Sequence, residues 1–388
     1  MSVEDDFEDR VRELASTGLL RRPRLISGDG ARVRVDGRPA ICFCSNDYLG
    51  LASHPRLAAL ASSAYEDGST VGSGASRLIS GTRPAHLAAE RALAHLVQRP
   101  AALLFSSGYA ANVGALSAIL ERGDVVFSDA LNHASLIDGM RLSRADIHIY
   151  PHRDLAALES LLRQHRPSAR RAWIVTDAIF SMDGDRAPLA ELRALADAHE
   201  AGLFVDEAHS LGVVAAGGAC LDANIVPDVL VGTLGKAFGL AGAFVAGSNA
   251  LRSLLENRAR SYVFSTATPP ALAQAILVAV DLVADASERR ETVLRHAKRL
   301  RIALRGQGWA IPDGDSPILP VPIGGTEATM EASAQLLERG FFVRGIRPPT
   351  VRPGTSRLRV VPTAIHTDAE IEGLIEAMAG LRALRPST

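Results

Sequence analysis

Five clusters of small, polar or charged residues each follow a short apolar run: Ser106-Ser107-Gly108-Tyr109, Asn132-His133, Asp177 to Gly184, Asp206-Glu207-Ala208-His209 and Thr233-Leu234-Gly235-Lys236. Lys236 lies in a loop of small residues, where desolvation disfavours the ammonium and leaves an amine able to attack an aldehyde. Asp206 closes the apolar run Leu203-Phe204-Val205, so its carboxylate belongs at the end of a buried strand, where it would keep a pyridine nitrogen protonated. His209 is spaced to donate to a phenolic oxygen and His133 to stack on a ring face. Gly108 and Tyr109 precede a helix expected near Ala110, whose free N–H groups and dipole suit a phosphate. A lysine, an acid, two histidines and a phosphate cradle are what pyridoxal phosphate requires. Taken singly, Lys236 reads as a surface lysine, Asp206 as a helix cap and His133 as a satisfied histidine; their joint order and spacing point to a site.

Other chemistries fit less well. The Asp206–His209 box resembles that of nucleotide-driven helicases, but a phosphate loop needs Gly five residues before Gly-Lys and Ser or Thr after it. Leu230 and Ala237 stand there. A dinucleotide fingerprint beginning Gly72-Ser73-Gly74 meets Arg77 where Gly is required. A metal at Asp206 and His209 lacks a third ligand, and none is expected.

These clusters need a scaffold that brings strand ends together. Apolar runs at Ala101–Phe105, 124–127, 147–150, 173–176, 203–205, 229–232 and 243–246 alternate with helical patterns at 86–97, 154–164 and 189–199. Short buried strands alternating with helices predict an α/β fold around a mostly parallel sheet covered on both faces, with ligands at the carboxyl ends of its strands. Ahead of it, residues 4–20 have loosely helical spacing, and two strand-like runs, 32–35 and 39–44, flank Asp36-Gly37 as a hairpin turn. A long helical stretch follows Pro269-Pro270. Strands at 318–322, 341–343 and 357–361 then alternate with helices at 327–339 and 368–381, as in a smaller α/β domain. The expected division is a helix and hairpin segment over 1–45, a large cofactor-binding domain over 46–275 and a small domain over 276–388.

In 388 residues, 42 Lys and Arg offset 43 Asp and Glu to a net charge of −1, which argues against nucleic acid or an anionic membrane as partner. With 47% hydrophobic and 22% charged residues, the chain has the composition of a globular protein. Cys42, Cys44 and Cys220 are too few for a disulfide scaffold. Residues 1–10 are acidic without an apolar core, unlike a signal peptide, and Gln274 and Asp281 interrupt the longest apolar stretch, so a cytoplasmic protein is expected.

Several longer segments resemble the α-oxoamine synthases, a branch of the fold-type I pyridoxal-phosphate enzymes. They are 45–51 (Ser-Asn-Asp-Tyr-Leu-Gly-Leu), 72–81, 107–112, 132–135, 180–185, 205–209, 233–239, 264–270 and 346–351 (Ile-Arg-Pro-Pro-Thr-Val), spanning most of the chain. The resemblance implies an aspartate-aminotransferase-like fold, a homodimer and these roles. Lys236 binds the cofactor covalently and later moves the α-proton, Asp206 pairs with the pyridine nitrogen, and His133 stacks on the ring. Ser181 and His209 bond the cofactor near its phenolic oxygen. Gly108, Tyr109 and Thr233 hold the phosphate, with Ser265 or Thr266 supplied by the second subunit. Asn46 lies near the substrate, Arg347 clamps the amino-acid carboxylate, Thr350 touches substrate, and Arg21 or Arg22 binds the acyl group. Asp177 stands where many relatives have Glu, and Ala178 where Gly or Ser is common. Within the family, segment 346–351 and the compact length favour the branch that joins L-alanine to a pimeloyl thioester, carried on CoA or a carrier protein, in biotin synthesis. The alternatives are glycine with acetyl-CoA or succinyl-CoA, and serine with a long acyl thioester. A non-catalytic binding or scaffold protein on the same fold, or a regulator with an added DNA-binding domain, would lack a use for the Lys, Asp and His set or the room for a second domain.

Overall fold

The computed structural model describes residues 2–66 and 72–381. They pack as two units, residues 46–292 and residues 1–45 with 293–388.

The first of these is built on a seven-stranded sheet. In spatial order its strands are Ala101–Phe105, Ala243–Gly247, Val229–Thr233, Ala201–Asp206, Ala172–Asp177, Val125–Asp129 and Asp146–Tyr150. The last five are parallel neighbours, whereas Ala243–Gly247 runs antiparallel to both of its own. Connection length forces this reversal. A parallel return needs a crossover of about a dozen or more residues, and residues 234–242 are too few, so the chain doubles back. That short return is the loop carrying Lys236.

Ala101–Phe105, Val125–Asp129 and Ala243–Gly247 are buried along their whole length, as expected where helices cover both faces. Large and small residues alternate between neighbouring strands. A Cβ on Gly202 would come within 2.5 Å of the Trp173 ring, and one on Gly232 within 2.5 Å of Phe244. The helix Gly108–Ile119 starts at Ser107, whose Oγ accepts the Ala110 N–H at 3.1 Å. Its Ala111, Ala115, Leu116 and Ala118 are buried, and Gly139 of the helix Ala134–Ser143 lets the two helices approach closely against Leu116.

In the second unit Ile26–Asp29, Arg32–Val35 and Arg38–Cys42 form an antiparallel meander, and Phe341–Phe342 adds in parallel beside Arg38–Cys42. Asp36 and Gly37 have φ of +50° and +84°, the left-handed pair that a two-residue hairpin turn requires. The strand Ile26–Asp29 is exposed throughout and has no apolar alternation, so the sequence pattern missed it. A second sheet orders Leu319–Gly324, Ser356–Val360 and Arg344–Ile346. Leu300, Leu304, Trp309, Leu336, Ile371, Leu374 and Met378 pack on it as one core.

The observed division differs from the expected one at two places. Residues 1–45 pack with the chain's last part, because Ile41 and Cys42 pair with Phe341 and Phe342. The long helical stretch is two helices, Pro270–Ala284 and Ser287–Gly306, and the boundary falls at 292/293 rather than 275/276. Cys42 Sγ and Cys44 Sγ lie 3.8 Å apart as free thiols. Among the described residues no single helix is long and apolar enough to cross a membrane.

Candidate active site

At the carboxyl end of the sheet, the unit 46–292 brings Lys236, His209, Asp206, His133, Thr233 and the first turn at Gly108 onto neighbouring strand ends and loops. Lys236 Nζ lies 2.9 Å from His209 Nε2, and His209 Nδ1 lies 2.6 Å from the hydroxyl of Tyr48. The Tyr48 hydroxyl also reaches Asn46 Oδ1 at 3.3 Å. Tyr48 is fully buried. Charge on the lysine sets the direction of this chain. An ammonium donates to Nε2, which turns the Nδ1 proton toward the Tyr48 oxygen and the Tyr48 proton toward Asn46. A neutral amine accepts from Nε2–H, and Tyr48 then donates to Nδ1. His209 keeps a partner at each ring nitrogen in both states.

Asp206 ends its strand with each carboxylate oxygen engaged. Oδ2 accepts from Asn112 Nδ2 at 2.6 Å and Oδ1 from the Ala208 N–H at 2.8 Å. Asn112 donates as well to Ser135 Oγ at 2.9 Å, which pairs with His133 Nδ1 at 2.7 Å. Asp206 and His133 are thus oriented by one polar chain. His133 begins the helix Ala134–Ser143, and its N–H donates to Asp177 Oδ2 at 2.9 Å. Burial holds the His133 imidazole below its ordinary value; Asp206 opposes this and Lys236 adds to it. A neutral ring suits stacking. Burial, and then the charge of Asp206, push the Asp177 carboxyl well up. Glu207 is turned away from the site. Its buried carboxylate takes the N–H groups of Ala219 (2.8 Å) and Cys220 (2.6 Å) and the Ser210 hydroxyl, so half of the acidic box pins a loop.

The donor set fits pyridoxal phosphate. The N–H groups of Gly108 and Tyr109 belong to the first turn of a helix and have no intrahelical partner. A Cβ on Gly108 would lie 3.7 Å from Thr233 Oγ1, so both phosphate candidates face one small space. Asp206 would supply the acid for a pyridine nitrogen and Lys236 the amine. Tyr109 is half exposed, with its hydroxyl on Asp138. Ser181 sits in the turn closed by Phe180 N–H to Asp185 O (3.0 Å) and Gly184 N–H to Phe180 O (2.8 Å). Thr266 pairs with Ser76 in an isolated bridge and, with Ser265 and Ser106, lines a small open pocket.

The acyl and carboxylate candidates gather in the other unit. Arg21 Nη2 donates to Thr350 Oγ1 at 2.9 Å. Arg347 donates to the carbonyl oxygens of Gly18 and, at 2.9 Å, Leu20. Arg22 is exposed, whereas Arg21 is tied to this group through Thr350. Sequence reasoning missed the working roles of Tyr48, Asn112 and Ser135. Each lies inside a segment already picked out by its motif, but its function rests on a partner far away in the chain.

The chain matches the model of the aminotransferase class I and II family over residues 38–378. It is 49% identical to the 8-amino-7-oxononanoate synthase of Methylococcus capsulatus, over 96% of this chain and 97% of that protein. In fold it resembles the serine palmitoyltransferase of S. paucimobilis (TM-score 0.91, 28% identity, 98% of each chain covered). It also resembles the 8-amino-7-oxononanoate synthase of Francisella tularensis (TM-score 0.76, 26% identity, 89% and 98% covered).

Proposed function

The chain belongs to the aminotransferase class I and II family, and from that premise we propose that it catalyses the reaction of the 8-amino-7-oxononanoate synthases. In that reaction the α-carbon of L-alanine is joined to the acyl carbon of a pimeloyl thioester, and carbon dioxide and the free thiol are released. It is a pyridoxal-phosphate-dependent acyl transfer serving biotin synthesis. The full-length 49% identity, against 28% to the serine palmitoyltransferase, favours alanine and pimeloyl over serine and a long acyl chain.

Bound pyridoxal phosphate supplies an electron sink for charge developing at the amino-acid α-carbon. Lys236 Nζ would hold the cofactor covalently and, as a free amine, take the α-proton. Ionised Asp206, fixed by Asn112 and the Ala208 N–H, keeps the pyridine nitrogen protonated. His133 stacks on the ring, while His209 and Ser181 donate around the phenolic oxygen. Gly108, Tyr109 and Thr233 hold the phosphate, with Thr266 contributed across a dimer. Arg347 holds the alanine carboxylate with its planar fork, assisted by Asn46 and Thr350, and Arg21 meets the acyl substrate.

The observation that carries this reading is the amine of Lys236 at 2.9 Å from His209, on the same sheet edge as Asp206. The test follows thiol release by purified protein loaded with pyridoxal phosphate. Pimeloyl-CoA with alanine is expected to give thiol and one carbon dioxide per turnover. Release only with glycine or serine and another acyl-CoA would move the protein to a different branch.

A cytoplasmic homodimer is part of the same proposal. Leu78, Ile79 and Phe264 are 52%, 80% and 72% exposed, a loss of burial that a second copy would recover. Sedimentation should show a dimer that Ile79→Glu with Phe264→Glu dissociates, and a monomeric wild type would remove the case for a partner's Thr266.

A further inference from the structure

One imidazole outside the residues assigned above ties two strand ends and a turn together. His152 follows the edge strand Asp146–Tyr150. Its Nδ1 lies 2.9 Å from Asp129 Oδ1 and its Nε2 2.7 Å from Asp185 Oδ2. Ionised carboxylates only accept, so both ring nitrogens donate and the ring is an imidazolium. The ring meets Phe180 edge-on, with centroids 4.4 Å apart and planes at 89°.

Each acid governs a different loop. Asp129 also accepts the N–H groups of Leu131 (2.8 Å) and Arg153 (2.9 Å), which shapes the chain leading into His133. Asp185 belongs to the turn that holds Ser181, where its carbonyl takes the Phe180 N–H. We propose that His152 is a positioning residue of this active site: shared between Asp129 and Asp185, it holds the His133 loop and the Ser181 turn in one arrangement. The proposal rests on the reading above that puts His133 and Ser181 at the cofactor.

Burial alone would pull His152 down, but the hydrogen bonds to Asp129 and Asp185 outweigh it, and the imidazolium is held up to about 9. The charged and titratable groups facing this cluster are Asp129, Asp185 and Arg153, and Asp129 in turn raises Tyr150 and Asp177. A folded-state value above the unfolded one makes the contribution complete below about pH 6.5 and lost as pH rises through about 9.

The experiment compares wild type, His152→Phe and Asp185→Asn. Phe keeps a ring against Phe180 and removes both donors. Affinity for pyridoxal phosphate, read by visible absorbance, and kcat and KM for alanine are measured from pH 7 to 10. His152→Phe should stay folded, bind the cofactor about tenfold or more weakly and lose kcat by about ten- to a hundredfold with a smaller change in KM. The difference in affinity between wild type and His152→Phe should shrink as pH rises through about 9, and in Asp185→Asn that inflection should move toward neutral pH. Equal affinity in His152→Phe, or a difference independent of pH, overturns the proposal. Failure of wild type itself to bind pyridoxal phosphate overturns instead the assignment of the cofactor site.

Discussion

Tyr48 shows how much of a site can depend on a side chain with no chemistry of its own to advertise. Its hydroxyl lies 2.6 Å from His209 Nδ1, 161 residues away in the chain. Tyr48→Phe should remove that buried hydrogen bond and cost about 1–3 kcal/mol, read by urea denaturation, with kcat for alanine reduced more than KM. Lys236→Ala is expected to leave the melting curve near wild type, abolish borohydride-stable attachment of pyridoxal phosphate and lower kcat by about 10³-fold or more. Borohydride labelling of a different peptide in wild type would contradict the role given to Lys236. Lys236, Asp206, His209 and His133 were legible in the sequence because each is a reactive type just after an apolar run. Asn112 and Ser135 were not, because their importance is a through-space link between Asp206 and His133. Asp177 was visible as the start of a polar cluster and as a departure from the family pattern; its bond to the His133 N–H required the fold.

The loop 234–242 is where an element and the chemistry coincide. Gly239 within it has φ of +68°, and a Cβ there would lie 2.3 Å from the Ala52 nitrogen. Backbone cannot step aside as a flexible side chain would, so Gly239→Ala should destabilise by about 2 kcal/mol or more. It should also weaken binding of pyridoxal phosphate, since the same return carries Lys236. An unchanged melting temperature would show that the loop relaxes freely. The parallel strands were readable because burial on both faces makes them continuously apolar. Ile26–Asp29 was not, because an exposed edge strand places no demand on its side chains. Nor could periodicity place the unit boundary inside a helix, where one amphipathic pattern runs on from Ser287 to Gly306.

Across the molecule, stability should depend on acid through His366. It stacks on Phe43 at 4.1 Å, and its Nδ1 accepts the Thr363 N–H at 2.9 Å. Burial holds its imidazole down to about 4. The unfolded chain takes the proton near the ordinary 6.5, so this stability is whole above that pH and drains as pH falls toward 4, by on the order of 3 kcal/mol. Urea midpoints measured between pH 7 and 4.5 should fall less steeply in His366→Gln than in wild type; parallel slopes would exclude His366 as the acid-sensitive group.

The reversed strand Ala243–Gly247 also dictates a schedule. In the sheet, Ala101–Phe105 touches no other strand, so on the ribosome it must wait, unpaired and apolar, until more than a hundred further residues have emerged. A nascent chain arrested before Ala243 would hold the acid and both histidines of the site yet leave the earliest strand of this sheet open to chaperones and to its neighbours on the polysome.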